Sequence, residues 1–465
     1  MYEKSIFLFH RDLRLEDNVG LIESLQNSKE VIPCFIYDSN LIKKLKDAKF
    51  RWNFLNESLL DLDKELQKKG SRLQILEGTP EKSIEKIIKK HRVKSIFTNT
   101  DFSNYSQKRD EKIFQVCKKN EIPFHSTLDF LLHNPHDVKT NDDSPYTIYS
   151  FFYKKAKIFP VRKIIKNSNK NYSKENISNN SIKELENLDS EIKGGRKEGL
   201  KILKNLEKFR DYDKVRDFPG LNQTTLLSAH NKFGTMSIRE IYSQIKEILG
   251  VNHTIMREIY WREFFNYILF HFPHVEKKSF KQKFQDIPWE KSEDSFKKWK
   301  EGETGFPIVD AGMRQLNNTG FMHNRVRMVV ASFLTKDLHI DWRWGERYFA
   351  RKLIDYDPAV NSGNWQWAAS TGCDSVPYFR IFNPWRQQER FDSECQYIKK
   401  WIPELREIES QTIHNLWKKF PENLKYPKPM IEHKIESEKT KNIFIYPKLP
   451  NNCPPLKKYF QNIFL

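Results

Sequence analysis

Nothing in this 465-residue chain approaches the roughly 18 consecutive apolar residues of a membrane-spanning helix, and the early "SIFLF" is no longer than a strand. No secretory leader is recognisable either, so a cytoplasmic protein is expected, or a nuclear one in a host with a nucleus. Cysteine is scarce. Cys34, Cys117, Cys373, Cys395 and Cys453 form no CxxC pair and no regular framework, which predicts a reduced, intracellular chain with no metal site. The first strand-like run is not followed by GxGxxG, which excludes the ordinary dinucleotide fingerprint. No internal repeat is evident.

Positive charge is what the chain has in excess. Lys and Arg number 80 against 61 Asp and Glu, a formal net charge of +19. Such a balance predicts a polyanionic partner, because lysines and arginines that neutralise phosphates release condensed counterions. A lysine- and asparagine-rich genomic bias would produce the same balance. Aromatic residues make up 14% of the chain, and all of its 11 tryptophans except Trp52 follow residue 250. That half is either an aromatic helical core or a region that holds something planar or moves electrons.

Length alone predicts two domains. Over the first 130 residues, "KSIFLFH", "EVIPCFIYD", "SRLQILEG", "VKSIFTNTD" and "IPFHSTLD" read as strands, and 50–69, 80–91 and 105–120 as helices. This β-α-β order predicts an α/β domain over 1–130 with a parallel, Rossmann-like sheet. Its ligands would sit beyond the strand C-terminal ends, near His10, Arg11, Asp12, Asp38 or Asp101. Residues 131–195 are expected to be a connector, weakly ordered in the Asn/Ser/Lys-rich stretch from 163. From 196 to 465 the spacing predicts an all-α domain with helices at 198–209, 236–249, 253–271, 307–318 and 323–338, and an irregular, Pro-rich stretch after 420.

Four stretches beyond residue 210 combine residue types that chemistry uses. In "IMREIYWREFFNYI" a helix places Glu258, Trp261, Arg262 and Phe265 on one face. Either Glu258 is desolvated beside the indole, which raises its pKa and lets it donate a hydrogen bond, or it pairs with Arg262 one turn on. In "MHNRVRMVVASFL" Asn324 and Met328 lie one turn apart, with Arg327 on an adjacent face. Amide and thioether there suit a flat polar ring, although Met328 equally suits a core. In "LNQTTLLSAHNKFG" Thr224, Thr225 and Ser228 sit near a helix start, as a phosphate site or as a simple N-cap. In "LIDYDPAVNSGNWQWAAS" Asp355 and Asp357 stand close to Asn361, and Arg327 is a natural partner for one carboxylate. Trp365 and Trp367, two residues apart on a helix, cannot share one face.

The runs "IYWREFF", "GFPIVDAGMRQLNNTGFMHNRVRMVVASFL", "DWRWGERYF" and "NSGNWQWAASTGCDSVPYFRIFNP", with "FHRDLRLEDN" at the start, closely resemble the photolyase and cryptochrome family. The similarity is greatest to class I members that repair cyclobutane pyrimidine dimers, and it spans nearly the whole chain. The resemblance implies an α/β antenna domain, a helical domain holding FAD, and repair of DNA by light-driven electron transfer from reduced FAD to a flipped dimer.

Site residues follow from the same resemblance. It implies flavin contacts at Tyr212 and at Thr224, Thr225, Leu226, Leu227 and Ser228, contacts around the flavin ring at Arg327, Asp355, Tyr356 and Asp357, and Asn361 against flavin N5. Glu258, Trp261, Arg262, Asn324, Arg325, Met328 and Trp367 correspond to the dimer pocket, with Glu258 and Asn361 in catalytic roles, and Arg380 and Gln387 to DNA contacts. Trp365, Trp342 and Trp289 correspond to the tryptophan chain that passes electrons from the surface to the flavin. Trp344 is an extra indole with no corresponding role. The Asn324/Met328 pair, where (6-4)-specific relatives carry two histidines, implies the cyclobutane lesion.

Tyr105 and Ser106 stand where folate-binding relatives have Asn-Glu. Arg51 and Asp101 therefore imply an antenna of the 8-hydroxy-deazaflavin type, or an empty antenna pocket. A monomer acting on DNA, away from membranes, is expected. The rival reading is a cryptochrome-like blue-light photoreceptor that binds FAD without repair; Asn361, where plant-type cryptochromes resemble one another in having Asp, weighs towards repair.

Overall fold

The computed structural model describes residues 1–45 and 47–445, so Cys453 and the last part of the Pro-rich stretch lie outside the described residues. The strands form where alternation places them: β1 (Tyr2–Phe9), β2 (Ser28–Asp38), β3 (Gln74–Gly78), β4 (Ser95–Asn99) and β5 (Phe124–Thr127). They make one parallel 5-stranded sheet in the order β3-β2-β1-β4-β5, with Leu8 opposite Cys34 on one side and Thr98 on the other. Ile6 to Phe9 are fully buried, as a strand covered on both faces by helices must be. The order reverses between β1 and β4, the position at which loops of a doubly wound sheet splay apart and leave a crevice.

Helices α1 (Lys49–Lys68), Pro80–His91 and Asn104–Lys119 match the expected spans. Val19–Asn27 escapes the periodicity argument because 9 residues make too few turns to show it; Asn18 starts it by accepting from the Leu21 amide at 3.2 Å.

The connector is a correction. Residues 163–195 lack regular structure, yet they are docked. β3 pairs with β2 only over Cys34–Asp38, which would leave the backbone of Val31 open; Tyr172 bridges to Val31, and the Ser173 amide donates to its carbonyl at 2.7 Å. Tyr172 is 4% exposed, and Asn167 donates through Nδ2 to the Leu15 carbonyl at 3.0 Å. The polar residues that suggested a solvated linker satisfy backbone groups of the sheet instead.

The later helices include Arg196–Lys204, Ile238–Ile248, α2 (Thr254–His271), α3 (Glu293–Glu301), Pro307–Thr319, α4 (Asn324–Ser332), α5 (Trp342–Lys352), α6 (Pro358–Ala368) and α7 (His433–Ile445). The expected span 323–338 is α4 followed by a π-helical turn over Phe333–Asp337. The stretch after 420 is less irregular than expected, since it contains α7. The chain divides into two compact units that do not follow sequence order. One contains 1–213, 224–273 and 351–360, and the other 214–223, 274–350 and 361 onward. The helical region expected from 196 is thus shared by both.

Candidate functional site

In the first unit, charged side chains collect beyond the ends of β1 and β4. Arg11 pairs with Asp101 at 3.4 Å and also with Asp357. Gly234, at φ 58°, makes room for this turn: a Cβ there would lie 2.2 Å from the Arg11 carbonyl oxygen. Arg51 on α1 lies over the Tyr356 ring at 5.2 Å, and its buried Nε and Nη1 have no hydrogen-bond partner. Burial pushes Arg51 down to about 10 and Lys232 down to about 8. Burial opposes ionisation of Asp101 and Asp357 too, but Arg11 and Lys232 outweigh it and hold both below the usual carboxylate range. Asp355 faces Arg51 and Glu263 faces Arg262 as well, so the cations Arg11, Arg51, Lys232 and Arg262 meet as many carboxylates, and it is Arg51 that has donors to spare. Such a set fits an anionic group.

The pairing of Asp357 was not legible. Its partner, Arg11, comes from the far end of the chain. Arg327 itself donates through Nε to the Met322 carbonyl at 2.7 Å and lies over Phe321.

Thr224, Thr225 and Leu226 line a cavity of about 320 Å³ together with Lys193, Lys201 and Lys208. Leu226 takes the left-handed conformation, and the helix Ser228–Phe233 begins after Leu227 with no side-chain cap. Of the hydroxyls, Thr225 Oγ1 accepts from the Leu227 amide at 3.4 Å. Tyr212 is half-buried at the start of a one-turn helix, Tyr212–Val215.

On α2, Trp261 stacks flat on Tyr149, with ring centroids 3.7 Å apart, and Glu258 beside it is half-buried. The alternative that pairs Glu258 with Arg262 needs amending. Arg262 pairs with Glu263 at 3.2 Å and donates to the Phe130 carbonyl at 3.0 Å. Glu263, not singled out from the sequence, is a carboxyl that burial pushes up, to about 7. Helix spacing carries no signal for it, because its burial comes from packing against residues near 130, such as Leu132, whose amide donates to it at 2.8 Å.

In the second unit, Asn324 is exposed at the start of α4 with its Nδ2 4.0 Å from Met328 Sδ, while Arg325 pairs with Asp217 at 2.6 Å. Asn361 donates through Nδ2 to Glu346 Oε1 at 2.9 Å and to the Glu346 backbone carbonyl at 3.2 Å. A backbone carbonyl can only accept, so the amide orientation is set and Oδ1 turns the other way. Burial pushes Glu346 up to about 7.

Trp365 is 2% exposed, whereas Trp367 is half-buried, as two faces of one helix require. Trp342 is buried, and Trp289 packs against Phe444 at 6.3 Å. Arg380 is exposed in a turn, and Gln387 sits on the helix Pro384–Phe391 with a buried, unpartnered Oε1. Among the described residues no three His, Cys, Asp or Glu side chains gather as a metal site, and no helix is long and apolar enough to cross a membrane.

Two family profiles match the chain: DNA photolyase over residues 5–163, and the FAD binding domain of DNA photolyase over 255–444. The chain is 36% identical to the deoxyribodipyrimidine photo-lyase of Alkalihalophilus pseudofirmus, over 94% of its own length and 96% of that protein. The crystal structure of the archaeal photolyase from Sulfolobus tokodaii, which holds two FAD molecules, is similar with a TM-score of 0.85 at 40% identity, covering 95% of this chain and 99% of that one. The Synechocystis cryptochrome gives 0.87 at 26% identity over 95% and 99%. The chain belongs to the photolyase and cryptochrome family. Within it, the chain falls among the enzymes, with full-length relatives named deoxyribodipyrimidine photo-lyase.

Proposed function

We propose that the protein is a class I photolyase that uses light to split cyclobutane pyrimidine dimers in DNA. What carries this reading is Asn361. With Nδ2 held by Glu346, its Oδ1 can only accept, which suits a ring nitrogen that carries hydrogen, as flavin N5 does in the reduced, electron-donating state. FAD, when bound, supplies the light absorption and the electron.

The chain's own side chains hold and place the reactants. Arg11 and Lys232 offset negative charge on the cofactor. Tyr212, Thr224, Thr225, Leu226, Leu227 and Ser228 hold its diphosphate and sugar part, and Arg327, Asp355, Tyr356 and Asp357 its ring. Trp289, Trp342 and Trp365 return electrons to it.

Glu258, Trp261, Arg262, Asn324, Arg325, Met328 and Trp367 receive the dimer, whose extrusion costs less than that of intact bases because it pairs and stacks poorly. Glu258 donates a hydrogen bond to the dimer carbonyl as negative charge develops there. Arg380 and Gln387 fix the DNA backbone, and the net charge of +19 strengthens binding at low salt. Arg51 and Asp101 mark an antenna site of the 8-hydroxy-deazaflavin type. The two FAD molecules of the Sulfolobus tokodaii relative, reported with the implication of a novel light-harvesting cofactor, add a second FAD as the alternative occupant. The protein acts as a cytoplasmic monomer.

Illuminating the reduced, FAD-loaded protein with a dimer-containing oligonucleotide should restore intact bases. Glu258→Gln should slow that repair and spare FAD binding, whereas Trp367→Ala should weaken binding of the lesion. Absence of repair by a reduced sample that binds the lesion would leave the photoreceptor reading, which the fold shared with the Synechocystis cryptochrome supports equally.

A further inference from the structure

Trp365 packs against the rings of Phe349 at 5.0 Å and Trp299 at 6.1 Å, and of these the indole is the one readily oxidised. Trp299 is fully buried on α3 and stacks on Phe296 of the same helix at 5.6 Å and 15°. Phe296 also meets Trp344 of α5, edge to face, at 5.2 Å. Trp344 is half-buried and reaches solvent. A ladder of rings thus runs from the inner tryptophan of α6 to the surface without using Trp342 or Trp289. Gly345, next to Trp344, lets it close up. A Cβ there would lie 2.1 Å from Trp365 Cη2, so only glycine allows the α5 backbone to lie against that indole.

We infer that Trp299 and Trp344 form a second electron route into Trp365, parallel to the one through Trp342 and Trp289. This rests on the reading that the chain binds FAD and that Trp365 is its inner electron donor. In the step inferred, Trp365 gives one electron to light-excited oxidised flavin, Trp299 refills Trp365, and Trp344 refills Trp299. Trp344, left one electron short, releases its indole proton to water, and the neutral radical is restored by an electron and a proton from a thiol in solution.

The neighbours of each ring favour this direction. Trp299 Nε1 donates to the Val330 carbonyl at 3.1 Å, and an amide oxygen is too weak a base to take its proton, so oxidised Trp299 stays protonated and is easily refilled. Phenylalanine resists oxidation, and Lys300 Nζ at 5.0 Å from the Phe296 ring opposes positive charge on it, so Phe296 bridges and does not store. Tyr348 also touches Trp299, at 5.9 Å, but oxidising a phenol requires loss of its proton. Its hydroxyl donates to Asn317 Oδ1 at 2.5 Å, again too weak a base, so the hole passes to Trp344.

The test follows tryptophanyl radicals by transient absorption and electron paramagnetic resonance in the FAD-loaded, oxidised protein without DNA. Trp342→Phe should leave a residual long-lived radical and slow flavin reduction, and Trp342→Phe with Trp344→Phe should abolish both. Trp344 is half-buried, so its replacement preserves the fold, and retained FAD absorbance checks this. Loss of all long-lived radical in Trp342→Phe alone would overturn the branch, as would a residual signal that Trp344→Phe leaves unchanged. Trp365→Phe separates the two claims. If it fails to suppress photoreduction, the inner-donor reading falls and the branch with it; if it suppresses photoreduction, a negative result in the other variants counts against the branch alone.

Discussion

Two buried regions of this protein hold themselves together by opposite means. In the first unit, Asp17 binds Arg239 at 2.6 Å and Arg162 at 2.9 Å, and Asp129 binds Arg14 at 2.5 Å and Arg239 at 2.8 Å, with both aspartates at most 1% exposed. In the second, Trp365, Trp299, Phe349 and Phe296 hold one another through ring faces and edges. The charged region is exacting: Asp17, Asp129, Arg14 and Arg239 have lost their water and depend on named partners. The aromatic region depends on shape, because dispersion and apolar burial are not directional, and so it fails by steric overlap.

The largest effect should come from breaking the charged region. Asp129→Asn leaves Arg14 and Arg239 short of a buried counter-charge, and urea denaturation should show a loss of about 3–5 kcal/mol. The aromatic region should break next, by overfilling. Gly345→Ala drives a methyl into Trp365 and into Leu334 Cδ2, 2.6 Å away, costing about 1–3 kcal/mol and shifting tryptophan fluorescence.

The smallest effect is a contrast in pH response. Asp17 and Asp129, held below the ordinary 3.8 because their arginines outweigh burial, add stability above that pH that disappears as pH falls below it. Glu346, pushed from 4.5 to about 7, does the reverse, with stability falling as pH rises from about 4.5 to about 7. Discounted for its partial exposure, that fall should be on the order of 1 kcal/mol. Glu346→Gln, which can still accept from Asn361, should remove it in denaturation curves collected across that range.

The same contrast explains what could be read in advance. All five strands and most long helices were legible because their periods are local, within one or two turns or a few alternations. Trp365 and Trp367 were legible as a pair pointing apart for the same reason. Arg11 and Asp357 are 346 positions apart, and no spacing rule reaches that far. Glu263 was missed where Glu258 was singled out, since carboxyls on one helix differ chiefly in what packs over them. The polar connector was misread because composition reports which groups can be solvated, while its backbone found open strand positions to satisfy.

The sequence by itself determined the elements, the family, and the residue types proposed above to hold a flavin and a lesion, since these follow from local pattern and from motifs written in contiguous runs. Only the tertiary structure decided which charges neutralise one another, which carboxyl is desolvated, how the Asn361 amide is turned, and which ring Trp365 touches. Those are properties of neighbours brought together by folding, and burial and distance, which set their energies, do not exist in the chain until it has folded.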